Sequence, residues 1–191
     1  AYDRDAGLFR AKPGAPDSPF LRHPNFLAVL SGVASEEKSA RIAKALAKDE
    51  MPAVGTPYMA SLEILALHTA GNALEAISRI RRIWGGMAKM GATTFYEAFD
   101  EKATAEESLV FYGRPYGRSL CHAWSSGPAA LLPMIAFGFE PTADGWADFR
   151  VAESSPFHEA SAILPVEQNA TIQIRAENGN IKFSKQTDNA R

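Results

Sequence analysis

The residue with the most chemical promise in this chain is a single glutamate, Glu97, in "GATTFYEAFD" between Gly91 and Asp100. It follows a helical run and stands among Phe95, Tyr96 and Phe99 where the helical pattern stops and no strand alternation replaces it. A carboxyl set among aromatic rings is partly desolvated, which suits it to general acid or base work. The alternative is a loop glutamate with its head in water. A second cluster lies in "RSLCHAWSSGP", Arg118 to Pro128. There His122 and Trp124 come just ahead of a Ser-Gly-Pro helix start. A histidine beside aromatic rings suits a sugar site, because a ring face stacks on sugar C–H bonds while polar groups fix the hydroxyls. A core tryptophan beside a hydrogen-bonded histidine fits the same letters.

Other chemistries find less. His23, His68, His122 and His158 form no short-spaced ligand pair, so no metal site is expected. Cys121, the only cysteine, adjoins His122, but sequence neighbours seldom face each other as nucleophile and base. With one cysteine no internal disulfide forms, and the compartment stays open. Gly85-Gly86 lacks the strand-before, helix-after setting of a phosphate loop. No cofactor is expected.

The elements that must position these residues are mostly helical. Residues 1–22, rich in Pro, Gly and Asp, read as an irregular lead-in. From Pro24 "PNFLAVLSGVA" is short and nearly all apolar. "SEEKSARIAKALAKDE" begins with Ser35 as N-cap and two glutamates where the helix dipole favours them, and it carries one apolar stripe. "PYMASLEILALHTAG" is apolar almost all round, with Gly71 as its C-terminal cap. Asn72 and Glu75 then open an amphipathic helix through Ile77, Ile80, Trp84 and Met87. "SSGPAALLPMIAFG" gives a last helix ending at Gly138, with Pro133 inside it. Beyond it Ile172 and Ile174 alternate with polar residues, and Asn178-Gly179 is a strong hairpin-turn signal.

With 191 residues, 46% of them hydrophobic and 22% charged, the chain is long enough for a real core and ordinary in composition. Net charge is −2, and the one basic cluster, Arg79, Arg81 and Arg82, reads as the solvated face of a helix. That argues against nucleic acid as a partner, since phosphate binding needs a concentrated basic face. No apolar run approaches the roughly 20 residues of a membrane helix. The opening "AYDRDAGLFR" has neither the basic nor the apolar region of a signal peptide.

Three segments together resemble the C-terminal half of bacterial α-L-rhamnosidases of glycoside hydrolase family 78. They are "LRHPNFLAVLSGVA", the long run from Gly55 to Asp100 ending in "TTFYEAFD", and "LCHAWSSGPAALLPMIAFGFEPTADGWADFRV". The similarity extends from about His23 to about Lys182. It implies a mainly α fold, the second half of an (α/α)6 six-hairpin toroid, over residues 1–138. A β-rich, sandwich-like segment over 139–191 would follow. The implied activity is inverting removal of terminal α-L-rhamnose, with Glu97 as the general base that activates water. His122 is implied to contact the sugar, with Tyr96 and Trp124 as wall residues, Tyr96 standing where many members have tryptophan.

An inverting hydrolase needs two carboxyl groups roughly 6.5–9.5 Å apart. The family's acid lies in an upstream stretch with no counterpart here. The resemblance therefore implies two partners, a carbohydrate and a missing N-terminal half, without which the chain would be inactive. A carbohydrate-binding remnant, and a related toroid enzyme for another sugar, are the alternatives. The family has periplasmic, secreted and cytoplasmic members, and the expectation leans toward the first two.

Overall fold

A computed structural model of the chain describes residues 2–48, 50–104, 106–110, 112–166 and 170–187. It forms two compact units, Ala1–Pro128 and Ala129–Arg191.

The first unit opens on a small hairpin, β1 (Tyr2–Asp3) with β2 (Leu8–Phe9), where the lead-in was expected to be irregular. Its order comes from Asn25, fully buried on α1 (Arg22–Leu30). The Asn25 amide accepts from Phe9 N–H at 2.8 Å and donates to the Phe9 carbonyl at 2.9 Å, so one side chain satisfies both backbone groups of the strand.

Helix α2 (Glu36–Ala47) has its two glutamates in the first turn and buries Ile42, Ala43 and Leu46. Helix α3 (Pro57–Thr69) starts at Thr56, whose hydroxyl accepts from Met59 N–H at 3.4 Å, with Pro57 in its first turn. It ends at Gly71, at φ 80°, where the Asn72 N–H reaches back to Leu67 O at 2.8 Å. The Asn72 side chain in turn caps α4 (Ala73–Lys89) by accepting from Glu75 N–H. Helix α1 packs on α3, α3 on α4, and α2 on α1, so α3 lies in the middle. Phe26 of α1, Ile42 and Leu46 of α2, and Ile64 and Leu67 of α3 are fully buried between these helices.

Arg79 is not part of a solvated face. It is 5% exposed, because its position on α4 turns it inward with Ala76 and Ile80. Its Nε donates to Glu75 Oε1 at 2.8 Å and its Nη2 to the Leu46 carbonyl at 2.6 Å. Glu63, from α3, sits between Arg79 (3.6 Å) and Arg22 (2.6 Å). Of the expected basic face, Arg81 is exposed and Arg82 half-buried.

The second unit holds all of α5 (Pro128–Phe137) but its first residue, and, among the described residues, two sheets. β3 (Glu140–Pro141) pairs with β4 (Phe149–Arg150), and β5 (Glu159–Val166), β6 (Ala170–Glu177) and β7 (Asn180–Thr187) form an antiparallel meander. Its β6–β7 turn is Asn178-Gly179, both at positive φ (52° and 77°), as the dipeptide predicts. Ile172 and Ile174 of β6 join Phe139, Ala136 and Phe137 in one core, with Trp146 stacked on Phe139 at 5.0 Å.

The toroid expectation is corrected here. Among the described residues, five helices and three small antiparallel sheets, 39% helix and 20% strand, are a mixed α and β composition and not half of a mainly helical toroid. The apolar stripes do make helices, but nothing in them dictates a ring. Helices α1 to α4 close on one another around α3, their polar centre is bridged by Glu63, and the end of α5 buries Ala136 and Phe137 with strand residues. Among the described residues no helix is long and apolar enough to cross a membrane.

Candidate functional site

Glu97 lies on the loop that follows α4, and a close contact sets the loop's course. Phe99 packs on Gly86 of α4 so tightly that a Cβ there would fall 2.3 Å from the ring. A helix-interior glycine costs about 1 kcal/mol relative to alanine, and here it makes room for the aromatic. Two residues back, the run 94–97 is laced to the run 119–122. Glu97 N–H donates to Ser119 O at 2.9 Å, His122 N–H donates to Phe95 O at 2.8 Å, and the Thr94 hydroxyl donates to Leu120 O.

This lacing brings two of the sequence-selected residues, Glu97 and His122, onto adjoining runs. The carboxylate is fixed as well: its Oε2 accepts from Ser119 N–H at 3.1 Å. Oε1 accepts no hydrogen bond among the described residues. Glu97 is half-buried, which agrees with a partly desolvated carboxyl and not with a head fully in water.

Arg118, which the sequence reading quoted but did not single out, supplies the counter-charge. Burial pushes its guanidinium below the ordinary arginine range, and the negative charges of Asp100 and then Glu97 push it back up. Both carboxylates thus lie near enough to act on the charge of this half-buried arginine. The Arg118 N–H donates to Leu109 O at 3.2 Å, which ties this run to a short turn at Glu107–Leu109.

The aromatic part is built on a turn of 3-10 helix, Ala123–Ser125. Trp84 of α4 anchors it, its indole N–H donating to the carbonyl of the fully buried Ser125 at 2.7 Å. The turn leaves Trp124 70% exposed. Its ring meets the His122 ring at 6.1 Å edge-on and the Tyr58 ring at 5.4 Å. Trp124 is therefore no core residue, and the core tryptophan of this region is Trp84. Tyr58, at the start of α3, was missed from sequence because nothing local marks a residue whose partner is 66 positions away. Tyr96 is half-buried beside Glu97 in the chain.

A cavity of about 540 Å³ adjoins this loop. Thr56 and Pro57 at the start of α3 line it, as do Phe99 to Lys102 and the buried set Arg22, Glu63 and Arg79. Asp100 thus borders the cavity and also faces Arg118. No group of three or more His, Cys, Asp or Glu able to hold a metal occurs among the described residues. Cys121 is exposed.

Chemically, the arrangement offers an anchored carboxylate with one open oxygen, a cation beside it, and aromatic faces on a surface ridge. Such a set can activate water or bind a polyol. No family model matches the chain, and none of the curated proteins compared with it matches either.

Proposed function

We propose that this chain carries the base side of an inverting glycoside hydrolase that removes terminal α-L-rhamnose. The observation that carries the reading is the joint placement of Glu97 and the His122–Trp124–Tyr58 ridge through the lacing of residues 94–97 to 119–122.

A general base must be aimed and within reach of water. The Ser119 amide holds Oε2 of Glu97, which leaves Oε1 to take a proton from water. Trp124 and Tyr58 offer ring faces to the C–H side of a pyranose, His122 a ring nitrogen to a hydroxyl, and Tyr96 a wall. The leaving oxygen must be protonated by a second carboxylic acid. Asp100 is exposed and spends one oxygen on the Lys102 N–H, so the acid is assigned to a residue outside this chain. A different terminal deoxy-sugar or uronic acid would use the same base.

The test is hydrolysis of an aryl α-L-rhamnoside by the full-length polypeptide, wild type against Glu97→Gln. The expected result is turnover that falls on the order of 10²–10⁴-fold in the variant, the usual contribution of a general base. Turnover unchanged by the substitution refutes the assignment. The exposed Trp124–Tyr58 pair also favours a second reading, a sugar-binding protein without turnover, which would bind the sugar equally well as Glu97→Gln.

A further inference from the structure

The cavity beside the Glu97 loop plays no part in activating water, yet its lining is chemically mixed. Among the described residues, Arg22, Arg79, Arg82 and Lys102 meet Glu63, Asp100 and Glu101 around one space of about 540 Å³, a volume in the range of small-molecule sites. Arg22, Glu63 and Arg79 are buried and bonded to one another and to backbone carbonyls, so they close the floor. Arg82 is half-buried, and Glu101 and Lys102 stand exposed at the rim. Between these groups the wall is apolar, with Val54, Pro57, Ile83 and Phe99.

Both parts of the Glu97 site run into this wall. Phe99 to Lys102 follow Glu97 with only Ala98 between, and Pro57 immediately precedes Tyr58 of the aromatic ridge. The segments that carry the carboxylate and the ring thus continue directly into the lining of the cavity.

The chemistry of the lining selects its occupant. Four cations against three carboxylates leave little net charge. An anion would be brought against Glu63, Asp100 and Glu101, and a cation against the arginines, each away from bulk water. A neutral molecule avoids both costs. At the rim, the Glu101 carboxylate next to the Lys102 ammonium sets acceptors beside donors, which neighbouring hydroxyls, each both donor and acceptor, can satisfy together. The apolar wall suits the C–H faces of the same molecule. We infer that the cavity holds a second, uncharged sugar, the unit to which the terminal one is linked, so that the leaving group of the substrate is itself a neutral sugar. This rests on the sugar reading of the Glu97 site.

The test is calorimetric titration of the full-length Glu97→Gln protein with methyl α-L-rhamnoside and with α-L-rhamnosyl-glucose, α-L-rhamnosyl-glucuronate and α-L-rhamnosyl-glucosamine. Rhamnosyl-glucose is expected to bind at least about tenfold more tightly than the methyl glycoside, and both charged disaccharides more weakly than the neutral one. Lys102→Gln and Glu101→Gln are then each added to Glu97→Gln. Each should weaken rhamnosyl-glucose about two- to tenfold, the worth of one hydrogen bond, and leave methyl rhamnoside within about twofold. Relative to the neutral disaccharide, Lys102→Gln should favour the glucosamine form and Glu101→Gln the glucuronate form. General damage to the fold would move every ligand the same way. Equal affinity for methyl rhamnoside and rhamnosyl-glucose, tighter binding of either charged disaccharide, or an increment that both substitutions leave intact overturns the cavity site. Failure of methyl rhamnoside and of every disaccharide to bind overturns the sugar reading with it, and so differs from failure of the cavity alone.

Discussion

Two clusters of arginine and carboxylate lie in the first unit, and they are held in opposite ways. In the first, Arg22, Glu63 and Arg79 are 2%, 3% and 5% exposed, and the arginines also donate to the carbonyls of Leu46 and Met51. Each element is a helix, and each charge is committed to the packing of α1, α3 and α4. In the second, half-buried Arg118 lies on a loop within electrostatic reach of Asp100 and Glu97, and Glu97 accepts on Oε2 alone among the described residues. Like chemistry thus does two jobs. Buried ions with every partner supplied specify how helices meet, whereas an ion that is anchored but incompletely satisfied is available to a ligand.

The largest expected effect belongs to the buried cluster. Glu63→Ala leaves two buried guanidiniums without their shared carboxylate, and breaking such a set typically costs about 3–5 kcal/mol. Chemical denaturation should show the midpoint collapse. Glu97→Gln keeps an acceptor for the Ser119 N–H and should cost less than about 1 kcal/mol. If the two substitutions destabilise equally, the distinction between the clusters is wrong.

A smaller effect tests what aims the second cluster. Gly86→Ala places a methyl 2.3 Å from the Phe99 ring, so the ring must move. Overpacking of this kind costs about 1–3 kcal/mol, of which up to about 1 kcal/mol is returned by alanine's helix propensity. Because Phe99 is two residues from Glu97, the proposed rhamnoside hydrolysis should fall by more than the loss of folded protein explains. Adding Phe99→Leu, which makes room, should restore part of both. Loss of stability with unchanged turnover per folded molecule would show that Glu97 is aimed independently of this contact.

The same contrast separates what could be read from the sequence. Periodicity marks α2 to α5, Gly71 and the Asn72 cap mark the α3–α4 junction, and Asn178-Gly179 marks the β6–β7 turn, because these depend on residues a few positions apart; the Ser35 side chain, expected to cap α2, makes no cap bond. The toroid was misread because helix pairs joined by short turns are equally compatible with a closed cluster around α3. The pairing of Tyr2 with Phe9 was invisible because its order depends on Asn25. At the site, Glu97, His122 and Trp124 stand out by type and neighbours. Their relation to Ser119, Arg118 and Tyr58 arises only from the lacing of residues 94–97 to 119–122, which no local pattern announces. Arg79 shows the same limit: a run of arginines looks solvated until α3 supplies Glu63.

The smallest expected effect concerns the turn that Arg118 hangs from. Thr104 and Glu107 cap each other: Thr104 N–H donates to Glu107 Oε2 at 2.8 Å, and Glu107 N–H to the Thr104 hydroxyl at 3.2 Å. The bond from the Thr104 N–H, with a further contribution from its hydroxyl, holds the Glu107 carboxyl below its usual range. A carboxyl lowered by folding stabilises above its unfolded pKa of about 4.3 and loses that contribution as pH falls through the lower folded value. The turn should therefore be intact at neutral pH and loosen only in acid, below about pH 4. Amide-proton shifts of Thr104 should report it, and Glu107→Gln should abolish the titration. Since Leu109 O, in that turn, accepts from the Arg118 N–H, the amide of Arg118 should follow the same curve while that of Arg79 stays still. If both amides move together, the exposed and the buried clusters respond as one body and the contrast between them fails.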